Sequence, residues 1–340
     1  MNIQQAINSA IRREDIGYDD MLMVMRSIMS GDVTSAQIAG LLVGLSMKGE
    51  TLDEVTAAAT VMREMAVSVD VSKEPLIDTC GTGGDGSRTF NISTATTFVV
   101  AAAGGYVAKH GNRSVSSSSG SADALEQAGA RIDLGPDDVA RSIEHTGVGF
   151  MFAPAHHGAT RHAAGARREL GVRTMFNVLG PLTNPAGAKR QLVGVFDRRW
   201  QRIVVEALSK LGAKRAYVVN ADDGLDEISI SANTMVATLK NGEIDWFEID
   251  PRDYGFNIAS IDNIIAENAQ QSLAIIEDVF ANTPGPARDI VCLNAGAAIH
   301  LCGLSNGLAG GIDRAGELLA NGSVKASFEK FVEFTQQVSK

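Results

Sequence analysis

The chain is poor in cysteine and in positive charge, and it has no long apolar run. Cys80, Cys292 and Cys302 are the only three cysteines in 340 residues. They have an odd count and no metal-ligand spacing, which excludes a disulfide framework or a zinc module. Reduced thiols in a cytosolic protein are expected. Cys80 stands beside a glycine-rich stretch, where a small packing residue is expected rather than a nucleophile. Lys and Arg number 30 against 40 Asp and Glu, a formal net charge of −10. A nucleic-acid surface needs a basic face, so this balance argues against that class. No apolar run reaches the ~18 residues of a membrane span. The opening residues, MNIQQAINSAIRRED, lack the apolar core of a signal peptide. Low complexity is confined to Ser116–Ser119, too short for a linker, and no solenoid-type repeat is visible.

The remaining composition, 45% hydrophobic and 21% charged, is that of an ordinary globular protein. The length suits one large domain or two of usual size. Residues 1 to about 68 carry only helical patterns. Apolar residues recur at helical spacing from Met21 to Met29, and again at Ile38, Leu41, Leu42, Leu45 and Met47. Gly49 is placed to end a helix, and Thr51 with Glu54 forms a capping box for the next. The methionines read as core filler.

Near Val71 to Pro75 the pattern changes to alternating strands and helices. That alternation implies a parallel or mixed sheet covered by helices. Strands are predicted ending at Asp78, over Val107–Lys109, over Val148–Phe152 and over Ala216–Val219. Helices are predicted over Ala95–Ala103, over Ala122–Gln127 with Gly129 closing it, from Pro136 to Gly147, and over Trp200–Leu211. Val236–Leu239, the Asn241-Gly242 pair and Ile244–Ile249 predict a hairpin with a type I′ turn. The rest, from about residue 258, reads as mostly helical. The fold class is therefore α/β: a small helical domain over residues 1–70 and a large α/β domain over 71–340.

The stretch that organises this reading is Thr79 to Thr94. Gly81, Gly83, Gly84 and Gly86 lie between a strand and a helix, beside Asp85, Ser87, Thr89, Asn91, Ser93 and Thr94. An ordinary strand-to-helix turn needs one or two glycines. Four in six residues let the backbone approach a ligand closely and aim several N–H groups at one point. The helix dipole there also favours an anion, so a phosphate or pyrophosphate is expected. The stretch matches neither the P-loop nor the Gly-x-Gly-x-x-Gly fingerprint.

Two more polar clusters follow predicted strands, where open α/β sheets bind ligands. Lys109 to Ser117 holds Lys109, His110, Asn112, Arg113 and several hydroxyls. The two cations could neutralise a phosphate; otherwise the segment is a solvated serine loop. Asp222, Asp223, Asp226 and Glu227 form an acidic turn. Hard oxygen ligands of this kind suit Mg²⁺, and a cation there would answer the deficit of positive charge. Arg161, Arg167, Arg168 and Arg173 lie on or near a predicted helix, Ala159–Leu170. A carboxylate-bearing substrate would need one of them, and the others are surface charge.

Together these stretches resemble the anthranilate phosphoribosyltransferases of glycosyltransferase family 3. The resemblance rests on DTCGTGGD from Asp78 to Asp85, NIST from Asn91 to Thr94, and KHGNRSVSS from Lys109 to Ser117. It extends through RRELG from Arg167, NVLGPLTNP from Asn177 and DGLDE from Asp223. The motifs run in family order over most of the chain, without a departure at a position that matters. The resemblance implies transfer of a phosphoribosyl group from 5-phosphoribosyl 1-diphosphate to the amino group of anthranilate. It implies donor contacts at Gly81, Gly84, Asp85, Thr89, Asn91, Ser93 and Thr94. Further donor contacts fall on Lys109, His110, Gly111, Asn112, Arg113, Ser114, Val115, Ser116, Ser117 and Ser121. Mg²⁺ falls to Ser93, Asp226 and Glu227, and anthranilate to Gly81, Asn112 and Arg167. It also implies a helical segment near 160–185 joined to the N-terminal domain, a cleft between two domains, and a homodimer formed through the helical part.

Such a reaction needs stabilisation of a departing diphosphate and positioning of a neutral amine. No essential nucleophile and no strong base are expected. A pyrimidine nucleoside phosphorylase shares the implied fold, but phosphorolysis has no use for a metal-held diphosphate. A non-catalytic nucleic-acid-binding relative would need a basic groove, against the net charge.

Overall fold

The computed structural model describes residues 1–113 and 119–338. The N-terminal segment is helical throughout, as its patterning predicts: α1 (Ile3–Ile11), α2 (Tyr18–Ser30), α3 (Ser35–Lys48) and α4 (Leu52–Glu64). Capping boxes start three of them, Asn2 with Gln5, Thr34 with Gln37 and Thr51 with Glu54. Gly49 ends α3 at φ +90°, a backbone angle that favours glycine. Met21, Met25 and Met29 are buried in the bundle.

The alternating part follows: β1 (Leu76–Gly81), α5 (Ile92–Ala102), β2 (Tyr106–Gly111), α6 (Ser121–Gln127), α7 (Pro136–Thr146) and β3 (Val148–Phe152). Next come α8 (Ala153–His156), α9 (Arg161–Leu170), α10 (Phe176–Leu182), β4 (Arg190–Gly194) and α11 (Arg199–Lys210). The sheet closes with β5 (Arg215–Ala221), β6 (Thr234–Lys240) and β7 (Glu243–Ile249). Four helices end the chain: α12 (Ala269–Phe280), α13 (Pro286–Cys302), α14 (Gly307–Ala320) and α15 (Ser323–Gln337). No single helix among the described residues is long and apolar enough to cross a membrane.

Among the described residues the sheet has seven strands in the order β3-β2-β1-β4-β5-β6-β7. The first five run parallel, and β6 and β7 are antiparallel. The β6–β7 turn places both Asn241 and Gly242 at positive φ, 52° and 90°, as a type I′ turn requires. Successive strand residues point to opposite faces. Leu192, Tyr217 and Val219 enter one core with α5 and the C-terminal helices. Val193, Ala216 and Val218 enter the other core with α11 and the N-terminal bundle. Ala163 and Ala166 of α9, with Phe176 and Leu179 of α10, belong to that second core, and α9 packs on α2 and α3.

Two strand expectations need correction. β1 does not end at Asp78 but runs on to Gly81, because Thr79, Cys80 and Gly81 pair with Leu192, Val193 and Gly194. The partner, β4, has no counterpart among the predicted strands. It has five residues and is covered on both faces, so it shows no alternation to read. Its place is central, since it separates the strands carrying the glycine loop and the acidic turn.

Candidate active site

The parallel strands bring their carboxyl ends to one edge, and the polar loops collect there. After Gly81 the chain turns through Gly83, Gly84 and Gly86 at φ +67°, +78° and +80°. Two bonds fix the loop's base: the Thr82 N–H donates to the Gly194 carbonyl at 2.9 Å, and the Thr82 hydroxyl accepts from the Phe196 N–H at 3.1 Å. Asp85 accepts from the N–H and hydroxyl of Ser87, and Thr89 bridges to Ile265. Asn91 precedes α5 but does not cap it. Its amide oxygen accepts from Ser119 at 3.0 Å and from Ser272 of α12 at 2.7 Å, and its amide nitrogen donates to the Ser119 carbonyl. The buried Thr94 hydroxyl has no hydrogen-bond partner among the described residues.

Lys109 leaves β2 as a buried cation. Its ammonium donates to the Thr79 carbonyl at 2.6 Å and to the Ser93 hydroxyl at 3.1 Å. Burial pulls its pKa below that of ordinary lysine, and the charges of Asp78, Glu227 and Asp226 resist that shift. Asp78, wholly buried, accepts from the His110 N–H and from the Asn184 amide, which also donates to the Ala108 carbonyl. These bonds lock β1 against β2 directly below the loop.

The acidic turn reaches the same place. Asp226 accepts from the Gly83 N–H at 2.7 Å, and the Ser93 backbone near Glu227 favours the charged form of that carboxyl. Both carboxyls are pushed up, Asp226 to about 7 by burial and by the charge of Asp85, Glu227 to about 8 by burial and by the charge of Asp226. A Cβ on Gly81 would come within 2.8 Å of the Asp226 carboxyl carbon, so any side chain there would push that carboxyl aside.

Asp222 and Asp223, in contrast, face away into local bonds, Asp222 to Arg198 and Asp223 to Ser229 and Ser231. No cluster of three or more His, Cys, Asp or Glu side chains arranged for a metal exists among the described residues. Mg²⁺ fits the smaller set, because it keeps several waters and needs only one or two carboxylates. Two adjacent buried carboxyls with raised pKa are the donors that a cation would stabilise.

The loop after β2 is only partly described, and Ser114, Val115, Ser116 and Ser117 lie outside the described residues. Gly111 passes so close to Phe150 that a Cβ would sit 2.7 Å from its ring. The Asn112 carbonyl accepts from the Ala122 N–H and, at 3.5 Å, from the Ser121 hydroxyl. Arg113 is not turned toward the glycine loop. It is half exposed and ion-paired with Glu126, 2.7 Å for its Nη2, and with Asp123.

Of the four arginines, Arg161, Arg168 and Arg173 are exposed and Arg167 is half-buried. The Arg167 guanidinium lies 5.2 Å from the Phe176 ring centre, and burial lowers its pKa. No carboxylate partners it among the described residues.

His110 is buried, with Nδ1 3.3 Å from the Gly180 carbonyl, Nε2 without a hydrogen-bond partner among the described residues, and its ring 5.0 Å from that of His157. Burial and the neighbouring His157 push it down to about 3, so the imidazole is neutral at pH 7. His110→Gln is expected to cost under about tenfold in kcat/KM. It should also leave no missing limb between pH 6 and 8, where a working histidine base would titrate. A loss near a thousandfold with an altered pH profile would make His110 an essential base.

Residues 4–66 match the glycosyl transferase family helical bundle domain, and residues 73–325 match the same family's a/b domain. An anthranilate phosphoribosyltransferase of Thioalkalivibrio sulfidiphilus is 56% identical over 98% of this chain and 99% of its own length. That of Laribacter hongkongensis is 55% identical over 99% and 98%. The crystal structure of the Thermus thermophilus anthranilate phosphoribosyltransferase superposes with a TM-score of 0.92 at 40% identity, covering 97% of this chain and 99% of its own. The yeast enzyme, solved in complex with PRPP and Mg, has the same fold, with a TM-score of 0.89 at 22% identity, covering 98% of each chain. The chain belongs to the anthranilate phosphoribosyltransferases of glycosyltransferase family 3.

Proposed function

We propose the following division of labour for the family's reaction, in which 5-phosphoribosyl 1-diphosphate and anthranilate give N-(5-phosphoribosyl)anthranilate and pyrophosphate. The observation that carries it is the meeting of three loops: the Gly83 N–H bonds to Asp226 and Lys109 bonds to the Ser93 hydroxyl, with Glu227 beside Asp226 and Lys109. The donor's phosphate groups are assigned to Gly81, Gly84, Asp85, Thr89, Asn91, Ser93 and Thr94, with Lys109 beside them, and the family's contacts from His110 to Ser117 and at Ser121 complete the donor set. Arg167 faces the carboxylate of anthranilate, with Gly81 and Asn112 at its ring. Half-burial of an arginine without an acidic partner supports that role, since a carboxylate would relieve its desolvation.

The amine nitrogen forms a bond to the ribose C1 as the C1–oxygen bond breaks, and the departing diphosphate takes the electron pair. The amine's proton then passes to solvent or to the diphosphate. Asp226, Glu227 and Ser93 would hold Mg²⁺, which when bound neutralises charge on the diphosphate. Lys109 is already fixed by the Thr79 carbonyl, so it meets the donor without reorganising. Titration calorimetry tests this assignment. Phosphoribosyl diphosphate should bind tightly with Mg²⁺ and weakly in EDTA, and equal affinity in both would remove the acidic pair from the site.

We read residues 1–70 with the segment near 160–185 as one domain and the rest of 71–340 as the other. The packing of α9 on α2 and α3 supports this grouping. We further propose a homodimer formed through the helical part. Ile11 and Met47, 69% and 73% exposed on the contacting helices α1 and α3, are apolar surface that a second copy would cover. Ile11→Glu with Met47→Glu should convert a dimer to a folded monomer in light scattering. A dimer that survives both changes would place the interface elsewhere.

A further inference from the structure

We infer that Arg173 is a second cationic ligand for the donor's diphosphate, working beside Lys109 from the connection between α9 and α10. This rests on the donor-binding reading above. Gly171, at φ +62°, ends α9, and the Asn177 side chain accepts from the Thr174 N–H at 3.0 Å. The turn so formed carries Arg173 across to the glycine loop. Its guanidinium lies 4.5 Å from the ring centre of Phe196, the residue whose N–H is bonded to Thr82. A Cβ placed on Gly84 would sit 3.2 Å from its Nε, 3.6 Å from Cζ and 3.7 Å from Nη2. Glycine at 84 thus leaves room for a flat guanidinium against the loop backbone, where N–H groups are expected to meet phosphate oxygens.

The charge around Arg173 points the same way. Asp85, Asp226 and Glu227 bring three acids to the loop, and the Lys109 ammonium bonds to Thr79 and Ser93 at its base. Arg113, Arg190 and Arg198 are each ion-paired with a carboxylate. Arg173 is exposed and has no hydrogen bond or ion pair among the described residues. In a chain with ten more acids than bases, a guanidinium held by an aromatic ring and left without an acid is poised for an anion from outside. The contact with the Phe196 ring uses no conventional hydrogen bond, so an N–H edge is left for a ligand. That edge is a fork suited to two phosphate oxygens at once.

The test compares Arg173→Gln, which removes the charge, with Arg173→Lys, which keeps it. Pyrophosphate with Mg²⁺ is titrated by calorimetry, and KM is measured for each substrate. Arg173→Gln should weaken pyrophosphate about 10- to 100-fold and raise KM for phosphoribosyl diphosphate similarly. KM for anthranilate should not change, and Lys should recover part of the loss. The gap between wild type and Arg173→Gln should narrow as salt is added, because the lost interaction is one of charge. If Arg173→Gln does not fold, Phe196→Leu should give a smaller shift in the same direction. Unchanged pyrophosphate affinity, or a rise confined to the anthranilate KM, would overturn the inference. So would a salt-independent loss shared equally by Lys and Gln, which would mark Arg173 as a strut of the loop. Failure of the wild-type protein itself to bind phosphoribosyl diphosphate would instead defeat the donor reading.

Discussion

Changing Asp226 to Asn and Glu227 to Gln together is expected to remove about a thousandfold of turnover, a few kcal/mol of barrier, without loosening the fold. Both replacements keep shape and remove charge, so Asp226→Asn can still accept from the Gly83 N–H through its amide oxygen. What is lost is the pair of anions that would hold the cation against the diphosphate. The same change should raise the melting temperature when no metal is present. Asp226 and Glu227 are pushed from ordinary values of 3.8 and 4.5 up to about 7 and 8. The folded protein therefore holds these protons more tightly than the unfolded chain does. Their contribution to stability is fullest below pH 4 and is lost as pH rises through about 7 and 8. In EDTA the wild-type protein should lose stability relative to the double variant between pH 5 and 8, and Mg²⁺ should close the gap. Melting curves at those two pH values decide it. A variant that melts below wild type at pH 8 in EDTA would show that the carboxylates stabilise the fold and are not strained by burial.

Gly194→Ala should be nearly as damaging, although Gly194 is not among the residues assigned to either substrate. It ends β4, beside Gly81 on one side and Val219 on the other. A Cβ there would fall on the Asp226 carbonyl and lie 3.0 Å from its Cα. A backbone cannot swing aside as the end of a long side chain can, so the acidic turn must lift. Overpacking of this kind costs roughly 1–3 kcal/mol. Displacement of Asp226 by about 1 Å is enough for a hundredfold loss of activity. Denaturant unfolding and kinetics at saturating Mg²⁺ would check both. Wild-type activity in Gly194→Ala would show that the Asp226 position is not set by β4.

These two positions mark how far the sequence could be read. The capping box at Thr51, the Asn241-Gly242 turn and the helix from Pro136 to Gly147 were legible because each is local chemistry. The glycine loop and the Asp226-Glu227 pair were legible because unusual composition stands at a strand end. β4 was not, since a short strand buried on both faces has no period, and without β4 nothing singles out Gly194. Ser272 holds Asn91 from 181 residues away, a distance that no sequence pattern encodes. Arg113 looked like a phosphate ligand by its neighbours in the chain, yet it pairs with Glu126, one helix later. Arg173 looked like surface charge, and only the folded chain places it on Phe196 and against Gly84.

The central claim is that the three loops form one metal-dependent phosphoribosyl-transfer site. Anthranilate fluorescence tests it most directly, followed with purified protein, phosphoribosyl diphosphate and Mg²⁺, beside a control containing EDTA. Fluorescence should fall with Mg²⁺ and stay constant in EDTA. An equal fall in EDTA would contradict the role of Asp226 and Glu227. No fall in either, with the substrates intact, would contradict the transfer itself.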